Sequence, residues 1–242
     1  MAILFPILPI VPLLIYLLAA LLPAAILLQF VYRHDRIESE PPGLLIKLVF
    51  GGCLSALCAG LLEVFGESAL AVWATPGSPA YAVLLAFLVV AVAEEGAKFF
   101  FLKRISWRHP AFNYRFDGVV YAVFVSLGFA ALENVQYVMN YGLSVALPRA
   151  FLSIPGHMSF AIFMGIYYGR ARLCENQGYY AESQRNLWIG YLFAVFLHGF
   201  YDACAMLETM LSTIVFVGFV AIMFLLAFKT LRREAMTDEP IY

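Results

Sequence analysis

Two adjacent glutamates, Glu94 and Glu95, with Lys98 one turn further on, stand in the stretch AVAEEGAKFFF, Ala91–Phe101. That stretch lies inside an apolar run, Ala80–Leu102, long enough to cross a bilayer. An ionisable group at membrane depth costs about 2.5–3.5 kcal/mol on the lowest estimates. Two neighbouring carboxylates cannot both ionise cheaply in a low dielectric. Lys98 is i+4 from Glu94 and i+3 from Glu95, so one helix face can hold a partly neutralised cluster. Three other apolar runs carry polar groups: Glu133-Asn134 in LGFAALENVQY, His157 just after Pro155-Gly156, and His198 with Asp202 in FLHGFYDA. The i,i+4 spacing puts His198 and Asp202 on one face, where Asp202 can accept from one imidazole nitrogen and fix which other nitrogen faces the site.

These residue types suit metal-assisted hydrolysis. Two histidines and a carboxylate make a catalytic zinc set with a coordination position left for water. A free carboxylate nearby can take the proton of that water. The same residues suit a metal-free Glu/His pair activating water, and a proton or cation pathway through a small transporter. A buried ion pair that only fixes helix packing is the plainest alternative. Spacing alone does not choose among them.

The elements that must position these groups follow from composition. The chain has 242 residues, 63% hydrophobic and 13% charged, with a mean hydropathy of +0.85. Soluble globular domains do not have that composition. Backbone groups in lipid must be satisfied internally, which leaves helices or a closed barrel. A barrel needs alternating segments of about ten residues, and the runs here are continuous and longer. The fold class expected is therefore all-α, a polytopic helical bundle in the lipid bilayer. The net charge of −1 gives no reason to expect a nucleic-acid partner. Four cysteines show no CxxC spacing, and three sit in apolar runs as small packing residues.

Seven spans are expected: Leu4–Tyr32, Leu44–Phe65, Ala80–Leu102 (running on to Trp107 if its basic end is helical), Gly118–Tyr141, Val145–Tyr168 broken at Pro155-Gly156, Leu187–Met206 and Met210–Phe228. Pro6, Pro9 and Pro12 make the start of the first irregular, and Pro23 predicts a kink. The run is long and lacks a positive leader, so it reads as a span rather than a cleaved signal. No connection is long enough to hold a soluble domain, so residues 1–242 read as one integral-membrane domain. Lys and Arg alternate between connections. Arg33, Arg36 and Lys47 flank the first, Lys103, Arg104, Arg108 and Arg115 fill the third, and Arg170, Arg172 and Arg185 the fifth. Lys229, Arg232 and Arg233 follow the last span, while the second, fourth and sixth connections contribute only Arg149. The positive-inside rule then puts the N-terminus outside and the C-terminus in the cytoplasm.

Other features have bland readings. Gly165-x-x-x-Gly169 lets two helices approach, and Asp117-Gly118 caps the fourth span at its basic start. Depth can be estimated from the arginines. His157 is thirteen residues from Arg170, His198 thirteen from Arg185 and Glu95 thirteen from Arg108, or ~20 Å at the helical rise. The midplane of a core about 30 Å thick is ~15 Å from either edge. Glu133, eighteen residues from Arg115, comes out nearer ~27 Å, and Glu95 only ~12 Å deep if its helix stops at Lys103. Between these the polar cluster is expected somewhat past the midplane, toward the outside, and a cut in the outer half of a substrate's span or just beyond it follows.

The order of these motifs resembles the PrsW family, intramembrane proteases related to the CAAX prenyl proteases and their bacterial relatives. The resemblance is carried by Glu94-Glu95-x-x-Lys98, Phe129-x-x-x-Glu133-Asn134, His157 and His198-x-x-x-Asp202. The acidic, proline-containing connection Tyr32–Pro41 and Asp117-Gly118-Val-Val-Tyr121 are similar too. The resemblance implies a protease of the bacterial cytoplasmic membrane, often described as a metalloprotease, that cuts single-span membrane proteins such as anti-sigma factors. It implies Glu94 as the base that activates water, with Glu95, Glu133, His157 and His198 as the other site groups. Lys98, Asn134 and Asp202 would support them. Zinc, if bound, would be held by His157, His198 and Glu133. In the CAAX-type relatives a metal-free glutamate mechanism is the alternative. The transporter reading stands against it, with no internal repeat in its favour.

Overall fold

The computed structural model describes residues 10–35 and 37–242. The start of the first apolar run, with Pro6 and Pro9, and Arg36 in the first connection lie outside the described residues. Each apolar run becomes a helix long and apolar enough to cross a membrane, seven in all among the described residues. They are α1 (Ile10–Tyr32), α2 (Pro42–Trp73), α3 (Pro79–Ser106), α4 (Asp117–Tyr141), α5 (Leu143–Asn176), α6 (Tyr180–Met206) and α7 (Met210–Met236). No strand forms among the described residues; there is one isolated bridge, between Tyr114 and Pro240.

The helices outrun the apolar runs that mark them. Hydropathy registers the lipid-facing part, whereas a helix stops only where its backbone is broken. Thus α2 continues past Phe65 through Gly66-Glu67-Ser68 and ends just before the Pro76-Gly77 turn. The first two turns of α6, YAESQRN, are polar and helical. They follow Gly178, whose φ of 81° suits glycine. The third helix does run on through Lys103 and Arg104, as the depth estimate required.

Every residue of α4 from Asp117 to Ala130 is buried. A helix apolar on all sides belongs in the centre of a bundle, and α4 packs there against α1, α2 and α5. Glycines set the closest approaches. A Cβ on Gly52 of α2 would lie 2.0 Å from the Val125 carbonyl oxygen, and one on Gly128 2.2 Å from that of Val49. Gly165 and Gly169 of α5 do the same against Gly118, Val119 and Arg115, so the GxxxG spacing is a helix contact as expected.

Two helices are not α-helical throughout. Leu85–Val90 in α3 and Arg149–Ser153 in α5 are π-helical. The second has a visible cause. Pro155 has no N–H, so the Phe151 carbonyl loses its usual donor, and the widened turn absorbs the defect. The expected break at Pro155-Gly156 is thus a π segment leading into unbroken α-helix, Ile154–Asn176. The first π segment contains neither Pro nor Gly, and nothing in its sequence announces it.

At the basic end of the bundle, the connection after α3 and the residues after α7 are tied together. The Arg115 guanidinium lies 3.2 Å from Glu234 and 2.7 Å from Glu239, and Ile241 is buried in the core. Asp117 does not cap α4 as expected. Its Oδ2 accepts from the backbone N–H groups of Asn113 and Tyr114, at 2.9 and 2.7 Å, and so fastens the turn that precedes the helix. Glu40, in the first connection, accepts from the Tyr121 hydroxyl at 2.6 Å. Burial pushes its carboxyl up to about 7 despite that bond.

Candidate active site

The two π segments end just before the two helices' polar groups. A π turn advances the helix face by one extra residue, about 100°. Glu94 follows four residues after Val90, and His157 four after Ser153. Phe87, inside the first π segment, packs directly on Gly199, where a Cβ would come within 2.5 Å of its ring. That contact draws α3 against α6 beside His198.

The five expected site groups converge: Glu94, Glu95, His157 and His198 meet, and Glu133 bonds His157. Lys98 Nζ donates to Glu94 Oε2 at 3.0 Å and to Glu95 Oε1 at 2.8 Å. It also lies 3.1 Å from His157 Nδ1. An ammonium has only donors, so His157 Nδ1 accepts. His157 Nε2 then carries the hydrogen and donates to Glu133 Oε2 at 3.1 Å. His198 Nδ1 donates to Glu95 Oε1 at 2.9 Å, and its Nε2 lies 3.3 Å from Asp202 and 3.9 Å from Glu94. The two imidazoles stand nearly perpendicular, with centroids 5.4 Å apart. Phe160 stacks on His198 at 4.9 Å, and the Lys98 ammonium sits 3.9 Å above the Phe129 ring. Glu94, Glu95, Lys98, His157 and His198 are all buried.

The centre opens into a cavity of about 570 Å³. Glu94, His157, His198, Glu133 and Asp202 line it; Glu95 and Lys98 do not. The adjacent glutamates therefore differ in kind: Glu94 meets the cavity, and Glu95 is turned into the protein against Lys98 and His198. The cavity lies nearer the end of the bundle away from the arginines. His198 is eight residues from the α6 terminus Met206, and Glu133 eight from the α4 terminus Tyr141, each ~12 Å along the helix.

Of the expected supporting residues, Lys98 and Asp202 touch the central groups. Asn134 touches none of them. It donates to the Ala20 carbonyl of α1 at 2.7 Å and accepts from Arg149 Nε at 2.8 Å. Arg149 in turn donates to Glu133 at 2.7 Å and lies over the Tyr137 ring at 3.8 Å. Arg149 is thus part of the site, holding the carboxylate that orients His157. The sequence holds its signal: it is the one arginine on connections otherwise without Lys or Arg, where charge counting makes it only an orientation mark.

Glu94, Glu95, His157 and His198 each offer a ligand atom, and these atoms lie within 4.8 Å of one another. Glu95 Oε2 is buried with no hydrogen-bond partner. Two imidazoles and two carboxylates, one of them with an unpartnered oxygen, are residue types that bind zinc, though an ion seated among them would have to displace the Lys98 ammonium from Glu94, Glu95 and His157. Glu133, the carboxylate expected as a ligand, is outside this group and is engaged by Arg149 and His157 instead.

Residues 40–228 match the model of the PrsW family intramembrane metalloproteases. The chain belongs to the PrsW family. Every residue of the site just described falls inside the matched range. The chain is 35% identical over 185 residues to the protease PrsW of Geobacillus kaustophilus, covering 76% of each chain. It is 31% identical over 222 residues to the protease PrsW of Halalkalibacterium halodurans, covering 91% of this chain and 97% of that one. The protease PrsW of Bacillus subtilis is 31% identical over 186 residues, 76% of this chain and 79% of its own. No solved structure matches the chain. These PrsW relatives, with the seven spans, support a protease function in a multi-pass membrane protein.

Proposed function

We propose that the chain is an intramembrane endopeptidase of the bacterial cell membrane. It hydrolyses a peptide bond in or near the span of single-span membrane proteins, anti-sigma-factor-like proteins among them, with Glu94 as the base. The observation that carries this is the inequality of the glutamate pair, in which only Glu94 lines the cavity. A general base must reach the water it deprotonates. Glu94 takes the proton of the attacking water and returns it to the leaving amine. Lys98, bonded to both glutamates, fixes Glu94 in position. His198 is clamped between Glu95 and Asp202 and stacked on Phe160, with its edge facing the cavity, where it steadies the developing oxyanion. Arg149 and Glu133 hold His157 in one tautomer on the opposite wall. In the alternative, metal-assisted form of this reading His157 and His198 would give up these bonds and, with Glu95, hold a zinc ion, which when bound supplies Lewis acidity to water and to the scissile carbonyl.

With the basic end in the cytoplasm, the cavity opens toward the outside, and the cut falls in the outer half of the substrate's span or just beyond it. The test is to incubate purified protein in lipid nanodiscs with candidate single-span proteins and weigh the membrane-retained fragment. A fragment ending near the outer boundary is expected, and a cut at the cytoplasmic boundary overturns the depth or the topology. The same preparations should contain stoichiometric zinc in the wild type and lose it in both His157→Ala and His198→Ala. A metal-free preparation that still cuts removes zinc from the reading.

A further inference from the structure

The cavity wall carries four carboxylates: Glu63, Glu94, Glu133 and Asp202. Three of them have a cationic or imidazole partner. Glu94 has Lys98 at 3.0 Å, Glu133 has Arg149 at 2.7 Å, and Asp202 has His198 at 3.3 Å. Glu63 makes no hydrogen bond or ion pair among the described residues, though it is half-buried and faces the same cavity. The mechanism does not use it.

Ala56, Gly60 and Glu63 of α2 line the wall together, as their i, i+4, i+7 spacing requires. A Cβ built on Gly60 would meet nothing within 4 Å, so the turn before Glu63 leaves open space beside the carboxylate. Glu63 is twenty-one residues beyond Pro42, ~32 Å along the helix. The helix runs on ten residues to Trp73, so Glu63 lies ~15 Å short of its far end, at about the level of Glu133 and His198 on the cavity wall. A carboxylate with space beside it, on a wall with three other acidic groups and Arg149 as the lining cation, is complementary to a cationic side chain.

We infer that Glu63 recognises a lysine or arginine of the substrate close to the scissile bond. This deepens the protease reading and rests on it. The chemistry also gives the site a means of choice. External flanks of membrane spans are poor in Lys and Arg, so a basic residue there distinguishes a few single-span proteins from the many that share the bilayer.

The test uses the full chain in nanodiscs and a library of synthetic single-span peptides randomised across the outer flank. Products are sequenced by mass spectrometry, and only cuts absent with Glu94→Gln are scored. Wild type is expected to favour Lys or Arg at one fixed offset from the cut. Glu63→Gln should lower that preference about ten- to a hundredfold, the worth of one charged hydrogen bond. Glu63→Lys should turn the preference toward Asp or Glu at the same offset, a readout that a merely structural role would not produce. Cuts that depend on Glu94 but show no basic preference, or the same preference in all three proteins, overturn the inference and leave the protease reading intact. No Glu94-dependent cut from any peptide overturns both.

Discussion

Glu94→Gln is expected to lower cleavage by roughly 10²–10⁴-fold or more, the usual worth of a positioned general base. The substitution keeps the side chain's shape and its ability to accept from Lys98, now at 3.0 Å, and removes only the capacity to take a proton. Inserted yield and helix content should therefore match wild type. Glu95→Gln is the informative comparison. Glu95 does not line the cavity, and its oxygen Oε1 accepts from both Lys98 and His198. Its loss should disturb the position of His198 and reduce the rate less than loss of the base. Single-turnover cleavage by equal amounts of folded protein checks both. Undiminished cleavage by Glu94→Gln would remove the role assigned to it.

Lys98→Met is expected to destabilise the fold by about 3–5 kcal/mol, the typical result of removing one partner from a buried ion pair. Lys98 is 2% exposed and contacts Glu94, Glu95 and His157 at 3.0, 2.8 and 3.1 Å. Methionine fills most of the volume and leaves two adjacent buried carboxylates without a cation. Lys98→Arg is no rescue, because the planar guanidinium needs more room than a compact ammonium. The double variant Lys98→Met/Glu95→Gln removes one of the two charges and should recover part of the loss. Thermal unfolding in detergent, compared across the three proteins, measures this. A Lys98→Met protein as stable as wild type would mean that the ammonium does not hold the glutamates together.

The sequence shows helix number and order plainly, because each span is a continuous apolar run that lipid leaves no other way to fold. It shows the central groups because a charge in such a run has few innocent explanations: Glu94, Glu95, His157 and His198 do meet. It hides what depends on helix rotation. Glu94 and Glu95 are neighbours with the same chemistry, and only three-dimensional packing says which of them faces the cavity. Asn134 sits next to Glu133 and shares only Arg149 with it; it turns to α1 rather than to the histidines, since side chains one residue apart point about 100° apart. Arg149 and Glu63 stay hidden for the opposite reason. Arg149 lies near the start of α5 and Glu63 near the end of the apolar run Leu44–Phe65, where a charge is ordinary, and only the position of the cavity makes each part of the site.

The π segments Leu85–Val90 and Arg149–Ser153 imply that this protein tolerates a change of letter better than a change of count. Most of their side chains are replaceable apolar bulk. Each segment nevertheless carries one residue more than an α-helical path would need. Deleting any one of Leu85–Val90 would let the turn relax to α-helix and swing Glu94, Glu95 and Lys98 about 100° around the axis, out of reach of both histidines. The spacing between the start of α3 and Glu94 is therefore as much a part of the site as the glutamate itself.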